Sequence, residues 1–426
     1  LKSWLFGAEV YGPIGILLSQ IFYCLPHAML ILTTALALAD ARLYEAAETL
    51  GASKWRMFRT VTVPGIKYGL VSAVFVVFTL VITDFGIAKV IGGNFNVLAT
   101  DAYKQVIGQQ NFEMGAVVGL VLLVPAVIAF AADRFIQRRQ VALLTARAVP
   151  LEPKPRPLAD WLALLFCLIV GGLVVFVLVV AIAASFITYW PYNLTPTLKW
   201  YNFSEYEPMG FMTYRNSLVM GATAATLGTA IVFATAYLVE KGKGARPLRT
   251  LAQLIAMLPM AVPGLVLGLS YVFFFNNTWN PFAVLYGSLF LLAINSIAHF
   301  YTTAHITATT ALKQIDGEFE AVSASLKVPF WRTFARVTVP ISLPAILDIW
   351  IYMFVNALTT VSAVIFIYGS SAKLASITMV HMEDGGATAA AAALATLIVA
   401  TALAAKGMHV LLDTFVLARL QRWRKR

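Results

Sequence analysis

Charge is scarce in this chain. Only 12% of its residues are Asp, Glu, Lys or Arg and 60% are hydrophobic, whereas soluble domains carry about 25% charged residues. That shortage excludes an ordinary soluble globule. Cysteine is nearly absent too. Cys24 and Cys167 lie within apolar runs, without metal-ligand spacing or a neighbouring His to activate a thiolate, so both read as small apolar side chains. A G-x-x-x-x-G-K-[ST] phosphate loop is missing: GGNFN (92–96) and GKGARP (242–247) lack the following Lys-Ser/Thr and read as turns. No His or carboxylate cluster has the spacing of a catalytic or metal site. The chain is therefore expected not to be an enzyme.

Long apolar runs are abundant. Nine reach the ~18 residues a membrane helix requires, at 13–39, 66–88, 114–136, 160–188, 215–239, 250–275, 283–312, 341–367 and 386–417. Backbone groups in lipid must be satisfied within the segment, so these are helices, and the alternation of a membrane β-barrel is absent. The fold class expected is an all-α, polytopic membrane protein. If residues 1–12 lie outside, nine crossings place 40–65, 137–159, 240–249, 313–340 and 418–426 inside. Those segments hold most of the basic residues; the opposite loops hold only Lys2, Lys89, Lys104, Lys199, Arg215 and Lys373. The net charge of +11 then reflects the positive-inside rule, with a cytoplasmic C-terminus and no nucleic-acid partner.

Two stretches repeat at a constant offset. Residues 33–64, TTALALADARLYEAAETLGASKWRMFRTVTVP, align without a gap with 309–340, TTALKQIDGEFEAVSASLKVPFWRTFARVTVP. The shift of 276 superposes Asp40 on Asp316, Trp55 on Trp331 and Pro64 on Pro340, which marks duplication of a whole domain. In copy one, Asp40 is placed to cap ARLYEAAETL, Gly51 breaks it, and Ser53 caps a second short helix expected to end before Pro64. The small Ala46, Ala47 and Ala52 keep this elbow low, with Glu45, Arg56 and Arg59 at its rim. A single such elbow fits docking into a partner cleft or lying on lipid headgroups through Trp55 and Phe58. Its recurrence in both halves favours docking to a two-fold symmetric partner.

Four apolar runs precede the second insert within its half, and one precedes the first. This imbalance leads us to expect a first half short of three N-terminal helices, as in a fragment of a twelve-helix protein or, alternatively, a first half that evolved to be short. The organisation expected is a first half at 1–137 with its insert at 40–64, a linker at 138–159, and a second half at 160–426 with its insert at 316–340. Pro150, Pro153, Pro155 and Pro157 make the linker extended and non-helical.

EAAETLGASKWRMFRTVTVP resembles the EAA loop (E-A-A-x-x-x-G, with a downstream Pro) of the permease subunits of type I bacterial ABC importers. Glu45, Ala46, Ala47 and Gly51 match it position for position. The resemblance covers essentially the whole chain, read as a fused permease in the bacterial inner membrane. It implies that the loop couples to a cytoplasmic ATPase through Glu45, Ala46, Ala47, Gly51, Ala52 and Arg56, and in copy two through Glu320, Ala321, Leu326, Lys327 and Arg332. Copy two departs from the pattern: Glu320 opposes Tyr44, and Lys327 stands where Gly51 does. A Lys there adopts positive φ only at a cost of roughly 1 kcal/mol, so either the elbow bends differently or Pro329 supplies the break.

The partners so implied are two ATPase copies, an extracytoplasmic binding protein and the lipid bilayer. No cofactor is implied for this chain, ATP and Mg belonging to the ATPase. Polar residues within spans are candidates for the path: Thr83, Asp84, Asn295, His299, Asn356, Thr359 and Thr360, with a collar of Asp348, Lys406, His409 and Asp413 nearer the cytoplasm. Residues 84–116 are similar to permeases for 2-aminoethylphosphonate, the related iron(III) and thiamine importers being the alternatives. An ion-coupled secondary transporter also uses internal repeats. It would show intramembrane charges at equivalent positions of each half, yet Asp84 has Thr360 opposite.

Overall fold

The computed structural model describes residues 11–417 apart from 38, 144–154, 190, 243 and 317. It forms two compact units, Leu1–Val180 and Ala181–Arg426. The core of the expected linker and the basic tail from 418 onward lie outside the described residues.

In the first unit, α1 (Pro13–Ala37) leads into the short α2 (Ala41–Thr49) and α3 (Lys54–Met57). A π turn at Phe58–Thr62 then opens directly into α4 (Val63–Thr83). Two short helices, α5 (Gly86–Ile91) and α6 (Leu98–Tyr103), precede the long α7 (Phe112–Leu143). Helix α4 packs against both α1 and α7. Buried Ser72 donates to buried Asp133 at 2.5 Å across the second contact, the kind of pairing a carboxylate within an apolar bundle requires. The α7 backbone stays helical to Leu143, so the non-helical linker begins later than 138. Its far end reaches Pro157, the first residue of α8 (Pro157–Ser185).

The second unit adds a hairpin of β1 (Ile187–Tyr189) and β2 (Asn193–Pro196), then α9 (Met212–Lys241), α10 (Arg246–Met257), α11 (Gly264–Phe275) and α12 (Leu289–Lys313). Its elbow comprises α13 (Glu318–Ser325), α14 (Phe330–Thr333), a π turn at Phe334–Thr338 and α15 (Val339–Ile341). It closes with α16 (Leu343–Thr359), α17 (Ala375–Asp384) and α18 (Thr388–Leu411). Helix α9 packs against both α12 and α16.

Among the described residues, seven helices are long and apolar enough to cross a membrane singly, and two bent pairs bring the number to nine. The run at 250–275 is thus not one straight helix: Arg246–Ala261 and Gly264–Phe275 meet at 111°. Pro259 and Pro263 withhold two backbone donors at that corner, which ends an α-helix. The helix in the run at 341–367 stops at Thr359, and 362–367 is a chain of turns. Its N-terminal side bends by 77° from the preceding helix, between Pro340 and Pro344. Helix α12 starts at Leu289 rather than 283 because Ser288 caps it, its Oγ accepting from Leu291 N at 3.2 Å.

The repeat runs well beyond the stretch read from sequence. Helices α1 and α12 begin at 13 and 289 and end at 37 and 313; the π turns, the Thr83 and Thr359 ends, and the starts of α7 and α18 keep the same 276 offset. Burial does not repeat. In the second unit Ile297 is 8%, Phe354 7% and Ala357 1% exposed, while their counterparts Ile21, Phe78 and Val81 are 50%, 44% and 39% exposed.

Candidate coupling elbows and intramembrane polar face

The two elbows share a cap, a left-handed residue and a π turn at equivalent positions. Asp40 Oδ1 accepts from Arg42 N at 3.1 Å, and Asp316 Oδ1 from Glu318 N at 3.0 Å. Helix α2 ends as Ala52 N reaches back to Ala47 O at 3.0 Å, and α13 as Val328 N reaches Ser323 O at 2.9 Å. This six-to-one closure requires positive φ at the residue between. Gly51 supplies +73° and Lys327 supplies +52°. The second elbow therefore bends as the first does, with Lys327 in the conformation that glycine adopts freely, and Pro329 begins the next turn instead of making the break. Ser53 Oγ caps α3 by accepting from Arg56 N at 3.3 Å.

The short second helix does not end before Pro64. Residues Lys54–Thr83 form one continuous 30-residue span. A proline inside an α-helix removes a hydrogen bond and collides with the carbonyl four residues back, and a π turn widens the backbone locally. The π turns directly before Val63 and Val339 accommodate Pro64 and Pro340 in this way. Lys327→Gly is expected to stabilise the protein by about 0.5–1 kcal/mol, by relieving the left-handed Lys. A thermal unfolding midpoint at or below that of the wild type contradicts this.

Both elbows present apolar surface at equivalent points. Leu50 and Leu326 are 86% and 69% exposed, and Trp55 and Trp331 are 66% and 63%. Around them Glu45, Ala46, Gly51 and Arg56 are exposed, as are Ala321, Lys327 and Arg332. Ala47 and Ala52 are half-buried. Trp55 stacks on Phe58 at 5.6 Å, and the Arg332 guanidinium lies 5.1 Å from the Trp331 ring. Glu320 differs from the rest: its side chain is 13% exposed and turned to Lys241, with Nζ 3.5 Å from Oε2. Tyr44, its counterpart, donates to Thr62 Oγ1 at 2.9 Å. Sequence reading passed over Tyr237, Phe330 and Phe334, whose rings cluster at 4.7–4.8 Å where α9 meets the second elbow. The i, i+4 spacing of Phe330 and Phe334 was the available signal.

The polar residues of the spans fall into three groups. Asn295 is fully buried and donates to the Ala363 carbonyl at 2.6 Å, and the Thr360 carbonyl accepts from Ser376 Oγ at 2.7 Å; both tie the turns after α16 in place. Asp84 is the hub of a comparable joint, accepting from Gln20 Nε2 at 2.9 Å and from Ile87 N at 3.1 Å, so that it starts α5. Thr83, Asn356 and Thr359 bond carbonyls of their own helices. His299 rests edge-on against Phe300, its Nδ1 without a hydrogen-bond partner among the described residues. Of the expected collar, Asp348 Oδ1 meets His409 Nε2 at 3.3 Å, with Lys406 Nζ 3.4 Å from His409 Nδ1. Asp348 also lines a cavity of about 370 Å³ behind the second elbow, together with Asp316, Ser342 and Gln314.

Comparison with known proteins accords with this architecture. A family described as binding-protein-dependent transport system inner membrane component matches residues 4–141 and 227–417. A putative ferric transport system permease protein of Haemophilus influenzae is 28% identical over 383 residues, covering 87% of this chain and 58% of its own length. A ferric transport system permease protein of Actinobacillus pleuropneumoniae is 27% identical over 394 residues, covering 90% and 55%. A chloroplastic sulfate permease of Chlamydomonas reinhardtii is 33% identical over 103 residues, 22% of this chain and 28% of its own. The chain thus spans somewhat more than half the length of the two ferric relatives. Both elbows lie inside the matched segments, and the chain belongs to the family of binding-protein-dependent transport system inner membrane components.

Proposed function

We propose that this chain is the membrane-spanning permease of an ATP-driven importer, and that its two elbows dock on two copies of a cytoplasmic ATPase. One observation carries the reading: elbows 276 residues apart share cap, left-handed residue and π turn, and each exposes a Leu and a Trp at equivalent positions. Exposed apolar side chains on a rigid, polar-rimmed knob are what a docking surface offers. ATP and Mg are bound by the ATPase, and its closure moves both elbows so that access alternates between the membrane faces. An extracytoplasmic binding protein delivers the cargo. In this reading the elbows and the C-terminus are cytoplasmic, residues 1–137 and 160–426 act as the two permease halves, and Thr83, His299, Asn356 and Thr359 border the path.

For the cargo, the names of the two ferric relatives outweigh the similarity of residues 84–116 to phosphonate permeases. Ferric ion is the first choice and 2-aminoethylphosphonate the second. The test is affinity purification of the full-length protein from its native membrane, followed by titration of the co-purified binding protein with each cargo. Recovery of an ATPase and tight binding of ferric ion are expected. Tight binding of the phosphonate alone reverses the cargo order. Absence of any ATPase after mild crosslinking overturns the importer reading in favour of an ion-coupled transporter.

A further inference from the structure

We propose that Lys241 is a positioning residue that locks the second elbow to α9, so that displacement of the elbow is delivered to α9 first. The inference rests on the coupling role given to the elbows above. Lys241 lies in the last turn of α9, where its Nζ donates to the Ile315 carbonyl at 2.8 Å and faces Glu320 Oε2 at 3.5 Å. Ile315 follows the C-terminus of α12, and Glu320 lies in the first turn of α13. One ammonium therefore joins α9, the end of α12 and the elbow. The Lys241 and Glu320 side chains are 12% and 13% exposed, so water competes little for either.

One turn earlier, Tyr237 packs its ring on Phe330 at 4.8 Å and Phe334 at 4.7 Å, and Phe233 lies 6.0 Å from Phe334. The joint thus has a polar clasp and an aromatic pad on the same end of α9. Arg249 closes that end by donating to the Gly242 carbonyl at 2.6 Å. An ion pair at such low exposure adds little net stability over well-packed apolar residues. What it adds is register, because the ammonium has to meet a fixed carbonyl and a fixed carboxylate together. The first elbow holds itself differently, its Tyr44 bonding Thr62 within the same segment. Helix α9 is also the element that packs on both α12 and α16, so moving it shifts the core of its unit.

Paired spin labels test this in the assembled transporter, with Cys24 and Cys167 replaced by Ala and labels at Leu238→Cys on α9 and Glu318→Cys on the elbow, outside the proposed docking surface. Both label sites are exposed, Leu238 at 53%. The separation is expected to stay within the ~2 Å of a packed-helix shift between the nucleotide-free and ATP-bound states. In Lys241→Met it is expected to change by about 5 Å, one helical turn, or to broaden over that range, and Lys241→Arg is expected to restore the constant separation. A wild-type separation that changes by a helical turn overturns the proposal, as does a Lys241→Met trace identical to wild type. If Lys241→Met does not fold, Glu320→Gln replaces it, retaining side-chain shape while removing the charge. A trace unchanged by that substitution overturns the proposal too. Failure of the wild type to bring down any ATPase is a distinct result, which removes the coupling reading and this inference with it.

Discussion

Gly51→Val is expected to reduce recovery of the ATPase at least tenfold, while Gly51→Lys retains most of it. The contrast follows from the backbone. Gly51 stands at φ +73°, and a Cβ built there meets nothing within 4 Å, so the Cβ itself meets no obstacle in the elbow. The cost is conformational: a left-handed residue with a Cβ costs ~1–2 kcal/mol, and more when the side chain branches at that carbon. Lys327 occupies the equivalent point of the second elbow at φ +52°, which shows that an unbranched side chain can be held there. Valine escapes its strain by unwinding the turn, and Leu50 and Trp55 on either side then cease to present one surface. Since ~1.4 kcal/mol is a factor of ten in binding, re-aiming that surface is enough for the predicted loss. Co-purification from matched amounts of membrane protein measures it. Equal recovery with Val and Gly shows that the bend is not what the ATPase reads.

The second large effect concerns stability. Gly268→Val is expected to destabilise the second unit by about 3 kcal/mol or more, adding overpacking to a lost hydrogen bond. A Cβ on Gly268 would stand 2.6 Å from the Ala363 carbonyl oxygen. The obstacle is main chain, which cannot rotate aside as a side-chain tip does. The same oxygen accepts from Asn295 Nδ2 at 2.6 Å, so displacing it also strands a buried amide. Asn295→Ala removes the hydrogen bond without the collision, and a smaller loss of about 1–3 kcal/mol is expected. Thermal unfolding of the purified variants should rank them wild type, Asn295→Ala, Gly268→Val in falling order. A Gly268→Val midpoint equal to wild type shows that the turns at 362–367 do not lie against α11.

Much of the architecture was legible because its signals are local. Apolar run length marks a membrane helix regardless of its neighbours, and a gapless 276-residue offset records duplication in the residues themselves. Asp40, Gly51 and Ser53 announced an elbow because caps and left-handed turns are decided within a few residues. Other features resisted the same treatment. Pro64 reads as a helix stop, yet a π turn carries the helix past it, and a π turn has no distinctive composition. Residues 250–275 read as one apolar run although their chain turns through 111°, because hydropathy records where a segment dissolves and not its direction.

The polar candidates show where local reading ends. Asn295 and Asp84 were marked by the cost of burying polarity in a span, a correct physical warning that does not specify what relieves the cost. In the fold Asn295 is relieved by a carbonyl 68 positions away and Asp84 by an amide 64 positions away. Sequence alone determined the membrane class, the duplication and the position of both elbows, since each depends on composition or on spacing along the chain. Tertiary structure alone decided that Glu320 turns inward to Lys241, that Asn295 staples a turn, and that the Ala363 carbonyl walls in Gly268. Each of those outcomes depends on which distant segment arrives with a donor, a charge or a wall of backbone, and spacing along a chain does not encode that arrival.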